Sequence, residues 1–465
     1  MPTWSIPTQS DLDRSTRSRR SRVLWIGVLL ACLYIAWAIP FILQSSIVAI
    51  DGHRYYGLFD DAMISMRYAW NFSHGNGLVW NPGERVEGYT NLLWTLVMSV
   101  FTGVLDKIHA VLAIQILGIP IVLACCWLTW KLARRVTAER SETEQLVIVG
   151  ISALGVFTYF PLSFWTLTGM ETGFLTLLLL AGVYCIEGYV GSGRPRDLFM
   201  GAALLGLATL TRDDANILAV LALAYAALRP AQRPGDGRLR ILLTAVLIFA
   251  LFPVGRAIFR VLYYGNILPN TYYLKATGMP MLERLKNGWG FISWYFITYS
   301  VFLAVCVVGT ALKPTRRALT YLAMLAAAIL YQIWVGGDPV RLWRMLTPAQ
   351  PMGAVLFALG AAEIVRRLGR EITTPRGTRL AAYITAIAIL ASNLSVLPLI
   401  LQRNAWMPTN FYPIRINAAV ALEAVTTDNA TVAVLAGGVV PYLTGRRAYD
   451  MLGRTDPYIA SLPAD

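Results

Sequence analysis

The stretch Arg14-Ser-Thr-Arg17-Ser-Arg19-Arg20-Ser-Arg22-Val23-Leu-Trp25-Ile-Gly27 decides the fold class. Five arginines end where an apolar run to about Ile47 begins. Charge followed by an apolar core is the order of a secretory leader, but this core is too long for one and no small-residue cleavage site follows it. A membrane span needs about 20 apolar residues, and this run supplies them. Basic residues collect on the cytoplasmic side of spans. The run therefore reads as an uncleaved first span, with residues 1–22 as a cytoplasmic tail.

Ten more apolar runs follow, near 109–131, 145–165, 172–190, 197–211, 214–228, 240–263, 289–311, 318–336, 346–365 and 379–401. On the length rule the chain carries about eleven spans within residues 23–401. The runs on either side of Thr211-Arg212-Asp213-Asp214 are short and read as a broken pair. Asn91–Leu105 is also short and lies between two outer segments, so it reads as an interfacial helix.

Charge placement supports the same topology. The N-terminal tail and the alternate loops with Lys131, Arg194, Arg229, Lys313 and Arg366 hold 23 of the 40 basic residues. That pattern places the N-terminus inside. The whole chain is 56% hydrophobic and 14% charged, against about 25% charged in a soluble domain. The net charge of +14 is thus a feature of inner loops, and a nucleic-acid partner is excluded along with an ordinary cytosolic enzyme. Cys125, Cys126, Cys185 and Cys306 sit in apolar runs, and the three histidines show no zinc-ligand spacing.

The outer segments are of another kind. They are long at 48–90 and 264–288, with a tail from 402 to 465, and they hold paired carboxylates, isolated cations and many aromatics. Phe59-Asp60-Asp61-Ala62 follows the first span. Neighbouring carboxylates disfavour each other's charge, so one of the two could take a proton from a hydroxyl, although Asp also favours turns and helix starts. The spacing of Met63, Met66, Ala69 and Trp70, with Arg67 among them, predicts a helix lying on the membrane surface. After it, His74 to Asn91 carries glycines and polar and aromatic residues, a composition suited to a sugar or headgroup. Arg212 sits at the break between two short runs, where a charge is costly and marks a site by default. It could equally staple the break through Asp213 or Asp214. Lys275, Arg341 and Arg344 also fall on the outer side, where Arg and Lys suit an anionic phosphate or an interfacial anchor. Glu171 opens a span, and Asp338 follows two glycines at the end of another. In the tail, Ala418–Val425 reads as a helix, Val432–Ala436 as a buried strand and Pro441 as a turn.

The run Asp60-Asp61-Ala-Met-Ile-Ser-Met-Arg67, with Gly75-Asn-Gly77 and Asn81-Pro-Gly83-Glu84-Arg85-Val86-Glu87-Gly-Tyr-Thr-Asn91, resembles the first outer loop of GT-C glycosyltransferases. Within that class it is most similar to the mycobacterial terminal β-(1→2) arabinofuranosyltransferase group. Gly169-Met-Glu171, Thr211-Arg212-Asp213, Tyr263 to Lys275, Gly336-Gly337-Asp338 and Pro441-Tyr442-Leu-Thr-Gly445-Arg446 continue the likeness in order. The fold it implies is an all-α polytopic bundle, residues 23–401, with a first outer loop at 48–108 and interfacial helices in that loop. Residues 402–465 would then be an extracytoplasmic segment, the start of an α/β domain. Chains of that family often continue past the counterpart of Gly445-Arg446 into an outer globular domain, whereas this sequence ends at Asp465.

The resemblance implies a polyprenyl-phosphate sugar donor, a glycan or lipid acceptor and transfer with inversion on the extracytoplasmic face of the plasma membrane. The general base falls on Asp60 or Asp61, with Asp60 favoured. Donor phosphate would meet Arg212, Lys275, Arg341 and Arg344. Substrate would meet Arg67, Glu84, Glu87, Tyr89, Asn91, Glu171, Asn270 and Asp338. No cofactor is required; two carboxylates could hold a divalent cation, but nothing in the sequence asks for one. The rival reading is a polytopic transporter or a lipid-linked sugar flippase. It would call for internal repeats and mid-membrane polar groups, and the sequence offers no convincing repeat.

Overall fold

In a computed structural model of the chain, residues 9–228, 237–276, 279–338, 340, 342–368 and 411–462 are described. Helix α1 (Gln9–Gln44) carries the first apolar run and turns Trp25, Ile26, Leu29 and Leu33 outward. A hairpin of β1 (Ser46–Val48) and β2 (Arg54–Tyr56) follows, and then α2 (Asp60–Ser73) and α3 (Leu92–Thr102). Two acidic residues in the first turn of α2 complement the positive end of its dipole.

The bundle continues with α4 (Lys107–Val136), α5 (Glu142–Phe157), α6 (Phe160–Leu167), α7 (Thr172–Ser192), α8 (Pro195–Thr211) and α9 (Ala215–Ala227). It goes on through α10 (Arg238–Tyr264), α11 (Asn270–Ala276), α12 (Met281–Thr298), α13 (Ser300–Leu312), α14 (Arg316–Trp334) and α15 (Gln350–Leu368). Helices α4, α7 and α8 pack side by side, and α15 lies against α5 and α13. The exposed Leu243, Leu247, Leu251 and Leu262 of α10 face away from the core, as a lipid-facing helix requires.

The expected count of eleven spans is not reproduced. Among the described residues six helices are long and apolar enough to cross a membrane, or eight if each bent pair is one span. One such pair is α5 with α6, bent by 43°. Pro161 lies in the first turn of α6 and has no N–H to continue the preceding helix. The other is α12 with α13, bent by 81°. Tyr295 and Tyr299 fill that corner, with ring centroids 4.8 Å apart and both against Trp343. The runs at 197–211 and 214–228 form α8 and α9, separated at Arg212. With 13 residues, α9 reaches only about 20 Å. The run at 379–401 lies outside the described residues.

The tail forms α16 (Phe411–Val425), β3 (Thr431–Val434), α17 (Val439–Thr444), β4 (Arg447–Asp450) and α18 (Pro457–Ser461). Strands β3 and β4 pair in parallel, Thr431 opposite Arg447, with α17 as the crossover. The expected turn at Pro441 is instead the start of a helix, where proline's missing N–H costs nothing. Helix α17 packs on α2. For that reason α2 is not laid open at a surface: ten of its fourteen residues are buried, Arg67 included.

Candidate active site

Asp60 and Asp61 begin α2, and their carboxylates lie in different surroundings. Asp60 is 5% exposed. Arg415 Nη1 lies 3.0 Å from its Oδ1 and Arg454 Nη1 lies 3.8 Å from its Oδ2. Burial pushes the Asp60 carboxyl above the ordinary range; Arg415 pulls it back, Asp61 adds to the rise and Arg454 opposes it. Among the described residues no donor makes a hydrogen bond to the fully buried Asp60 Oδ1, so its contact with Arg415 is ionic, and the Val439 N–H is a further group that favours the charged carboxylate. Asp61 is more exposed; Oδ1 accepts from Arg454 at 2.8 Å and Oδ2 from Arg344 at 3.0 Å.

Arg344 joins this pair to the loop after α14. Its Nε donates to Asp338 Oδ2 at 2.6 Å, and its guanidinium lies 5.6 Å from the Trp165 ring. Burial disfavours the charge, but Asp338 and then Asp61 outweigh it and raise the Arg344 pKa. The loop is held in an uncommon shape. Gly336 and Gly337 both have φ near +87°, and Leu342 and Trp343 have φ of 85° and 40°. Such strain in non-glycine residues persists only when the surroundings impose it, and it concentrates at functional sites. Here the buried Leu342 offers its carbonyl to Trp165 Nε1 at 2.9 Å.

A second group stands beside the first. Arg212 uses Nε and Nη2 on Asp214, at 2.9 and 3.0 Å, and Nη1 on Glu171 at 2.9 Å. Glu171 is 1% exposed, and its other oxygen accepts from Asn91 Nδ2 at 3.0 Å. Asn91 Oδ1 in turn accepts from Ser65 and Thr95, which ties α2, α3 and α7 together. Arg212 and Glu171 both act electrostatically on Arg344. A shallow apolar groove runs past Asp214 along Leu175, Leu179, Leu218 and Ala328 to Met345, next to Arg344 in the chain.

Glu87 forms a third group. Arg260 Nε lies 2.7 Å from its Oε2 and Arg256 Nη2 3.7 Å from its Oε1, and both arginines also reach Asp213. Burial raises the Glu87 pKa, against the pull of Arg260 and Arg256.

Four of the residues expected to meet substrate are engaged elsewhere. Arg67 is buried and donates to the carbonyls of Trp80, Pro441, Gly445 and Arg446. Glu84 pairs with Arg447 and Asn81. The Tyr89 hydroxyl meets Tyr264 at 3.1 Å. Asn270 Nδ2 serves the carbonyls of Gly453, Arg454 and Asp456. Arg341 and the Lys275 side chain fall outside the described residues. Sequence reasoning missed Arg415 and Arg454, which no local pattern marks. It also passed over Arg256 and Arg260, although two arginines four apart in an apolar helix are a signal in themselves.

Among the described residues no three His, Cys, Asp or Glu side chains gather as a metal site. The site brings together a buried carboxylate, a row of arginines and an apolar groove.

Residues 409–465 match a family described as a domain of unknown function, DUF8728. The chain is similar to the terminal β-(1→2)-arabinofuranosyltransferase of Mycobacterium tuberculosis, with 26% identity over 272 residues, 57% of this chain and 42% of that protein. With its Corynebacterium glutamicum namesake it shares 25% over 335 residues, 62% of this chain and 46% of that protein. The match thus spans less than half the length of these curated relatives. In structure it is similar to ArnT from Cupriavidus metallidurans bound to undecaprenyl phosphate, with a TM-score of 0.58, 12% identity and coverage of 93% of this chain and 89% of that one. The archaeal oligosaccharyltransferase AglB from Archaeoglobus fulgidus, in complex with an inhibitory peptide and a dolichol-phosphate, has a TM-score of 0.58 at 11% identity, covering 95% of this chain and 65% of its own. Both are GT-C glycosyltransferases. The chain is a multi-pass helical membrane protein with the GT-C fold.

Proposed function

We propose that this chain is a membrane glycosyltransferase that moves a sugar from a polyprenyl-phosphate donor to a glycan or lipid acceptor on the extracytoplasmic face. The observation that carries the reading is Asp60: a buried carboxylate at the start of α2, beside Asp61 and flanked by Arg415 and Arg454. An acceptor hydroxyl donating to this carboxylate is the pose a general base needs. The hydroxyl oxygen bonds to the anomeric carbon on the side opposite the phosphate, and its proton passes to Asp60. The bond from the anomeric carbon to the phosphate oxygen breaks, so polyprenyl phosphate leaves with one more negative charge and the configuration inverts.

Leaving-group charge calls for cations rather than an acid. Arg344 and Arg212 are the described candidates, each forked toward carboxylates and thus equally suited to phosphate. Arg341 and Lys275 stay in the proposal as further phosphate contacts. The groove past Asp214 to Met345 suits an isoprenoid. Asp61 and Asp338 hold Arg344 in place, and Glu171 and Asn91 hold Arg212. Arabinofuranose is the sugar to try first, because the curated relatives are named for its transfer. The basic loops expected inside support the outer face as the side of transfer.

The test is transfer of label from a synthetic polyprenyl-phosphate sugar into a larger glycan by membranes that contain the protein. Asp60→Asn should lower the rate by at least about 100-fold at unchanged protein level. Full transfer by Asp60→Asn, or movement of intact labelled lipid without transfer, would overturn the reading.

A further inference from the structure

Among the described residues, the ion-pair partners of Asp60 all come from the C-terminal segment. Arg415 belongs to α16, and Arg454 lies between β4 and α18. Arg454 also reaches Asp61, which shares Arg344 with Asp338. The charges therefore form one line, Arg415, Asp60, Arg454, Asp61, Arg344, Asp338. Its first half is joined by the tail and its second half by the loop after α14.

The tail is keyed into place by polar groups of the first outer loop and by Asn270 of α11. Trp80 Nε1 donates to the Gly437 carbonyl at 3.1 Å. Asn81 clamps Ala448 from both sides, giving Nδ2 to its carbonyl at 2.9 Å and taking its N–H at 3.1 Å. Arg67 and Lys107 hold the carbonyls at the C-terminal end of α17. Asn270 grips the carbonyls around Arg454 itself. Together these bonds fix the approach of Gly438, whose backbone rests directly on Asp60.

We infer that the segment Phe411 to Leu462 is part of the reaction centre, with Arg415 and Arg454 as positioning residues that orient the Asp60 carboxylate and keep it charged. The inference rests on the reading of Asp60 as base. A carboxylate this deeply buried takes up a proton unless cations stand beside it, and a protonated Asp60 accepts no proton from a hydroxyl. The groups facing it are Asp61 from its own helix and the two arginines from the tail. Asp61 disfavours the charge as burial does, and the arginines offset part of both, so removing either arginine should raise the Asp60 pKa further.

The experiment compares Arg415→Gln, Arg454→Gln, the double variant and the matching Lys variants in the intact protein, each checked for folding by thermal unfolding in detergent. The Gln variants should lose at least about tenfold in kcat with donor KM little changed. The acid limb of their pH–rate profile should move up by about one unit. The Lys variants keep the charge but not the fork, so their acid limb should stay near the wild-type position while kcat falls less. Folded Gln variants with wild-type kcat and wild-type acid limb would overturn the inference, as would Lys variants whose acid limb moves as far as that of Gln. Should the Gln proteins not fold, the Lys proteins decide by the same limb. Failure of the parent reading looks different: there Asp60→Asn itself stays active.

Discussion

Gly438 lies so close to Asp60 that a Cβ on it would meet the Asp60 carbonyl oxygen at 2.2 Å and Oδ1 at 2.8 Å. The carbonyl is backbone of α2 and cannot swing aside. Gly438→Ala should therefore push the tail off Asp60, costing about 1–3 kcal/mol of stability as overpacking does and lowering transfer far more. At Gly437 a Cβ would meet Trp80 at 3.5 Å, an ordinary contact. Gly437→Ala should fold and act nearly as the parent does. Parallel melting curves and transfer rates check the pair, and equal behaviour of the two alanines would remove the special role of Gly438.

The pH dependence follows from the direction of the Asp60 shift. In the proposed role as base Asp60 works only when ionised, and its pKa in the fold stands above the ordinary carboxylate range. Transfer should thus fall on acidification through that raised value, before ordinary carboxylates titrate. The stability effect has the opposite sense. A raised carboxyl pKa means that the folded state holds its proton more tightly than the unfolded state does. As pH rises from the unfolded value through the folded one, ionised Asp60 progressively subtracts stability, and the loss is complete above the folded value. Asp60→Asn should then melt no lower than the parent at neutral pH while losing transfer. A clearly lower melting temperature for that variant at neutral pH would contradict the assignment.

How far these features can be read from the sequence depends on how local they are. The spans at α1, α4, α7, α10, α14 and α15 are legible because apolar length is a property of one continuous stretch. The corner at Tyr299 is not, since a run of apolar residues reads the same whether straight or bent by 81°. The tandem aspartates announce themselves by adjacency. Arg454 does not, because it meets Asp61 across 393 residues of chain with no periodic signal around it. Asn270 and Arg67 stand inside motifs that suggested substrate, yet their donors go to backbone carbonyls of the tail. A motif shows that a polar residue has a buried task; only the folded chain shows whose groups it satisfies.

Glu171 and Arg212 offer a test by double-mutant cycle. Arg212 is the cation on a carboxylate that is 1% exposed. Removing one member of a buried pair costs about 3–5 kcal/mol, mostly from the charge left behind. Arg212→Ala should therefore destabilise strongly, and Arg212→Lys less but measurably, since one ammonium cannot serve both Glu171 and Asp214. Adding Glu171→Gln to Arg212→Ala should recover part of the loss. Strict additivity of the two single changes would show that the pair is not coupled.

About 24 Å along α7 from Glu171, Glu187 provides the contrast. Its side chain is fully buried and holds Arg317 at 2.9 Å, Tyr321 at 2.9 Å and Tyr225 at 3.4 Å. It links α7, α9 and α14 at the end of the bundle away from the tandem aspartates. Tyr321→Phe removes one donor and should cost about 1–3 kcal/mol, the penalty for an under-satisfied buried acceptor. Arg317→Ala should cost more, although Arg317 is 31% exposed and water offsets part of the loss. Both variants should lower the melting temperature while the pH profile of transfer and the donor KM stay as in the parent, because no described group of this cluster touches the Asp60 line. A shifted acid limb in either one would mean that the two ends of α7 communicate, and the separation of scaffold from reaction centre drawn above would have to be abandoned.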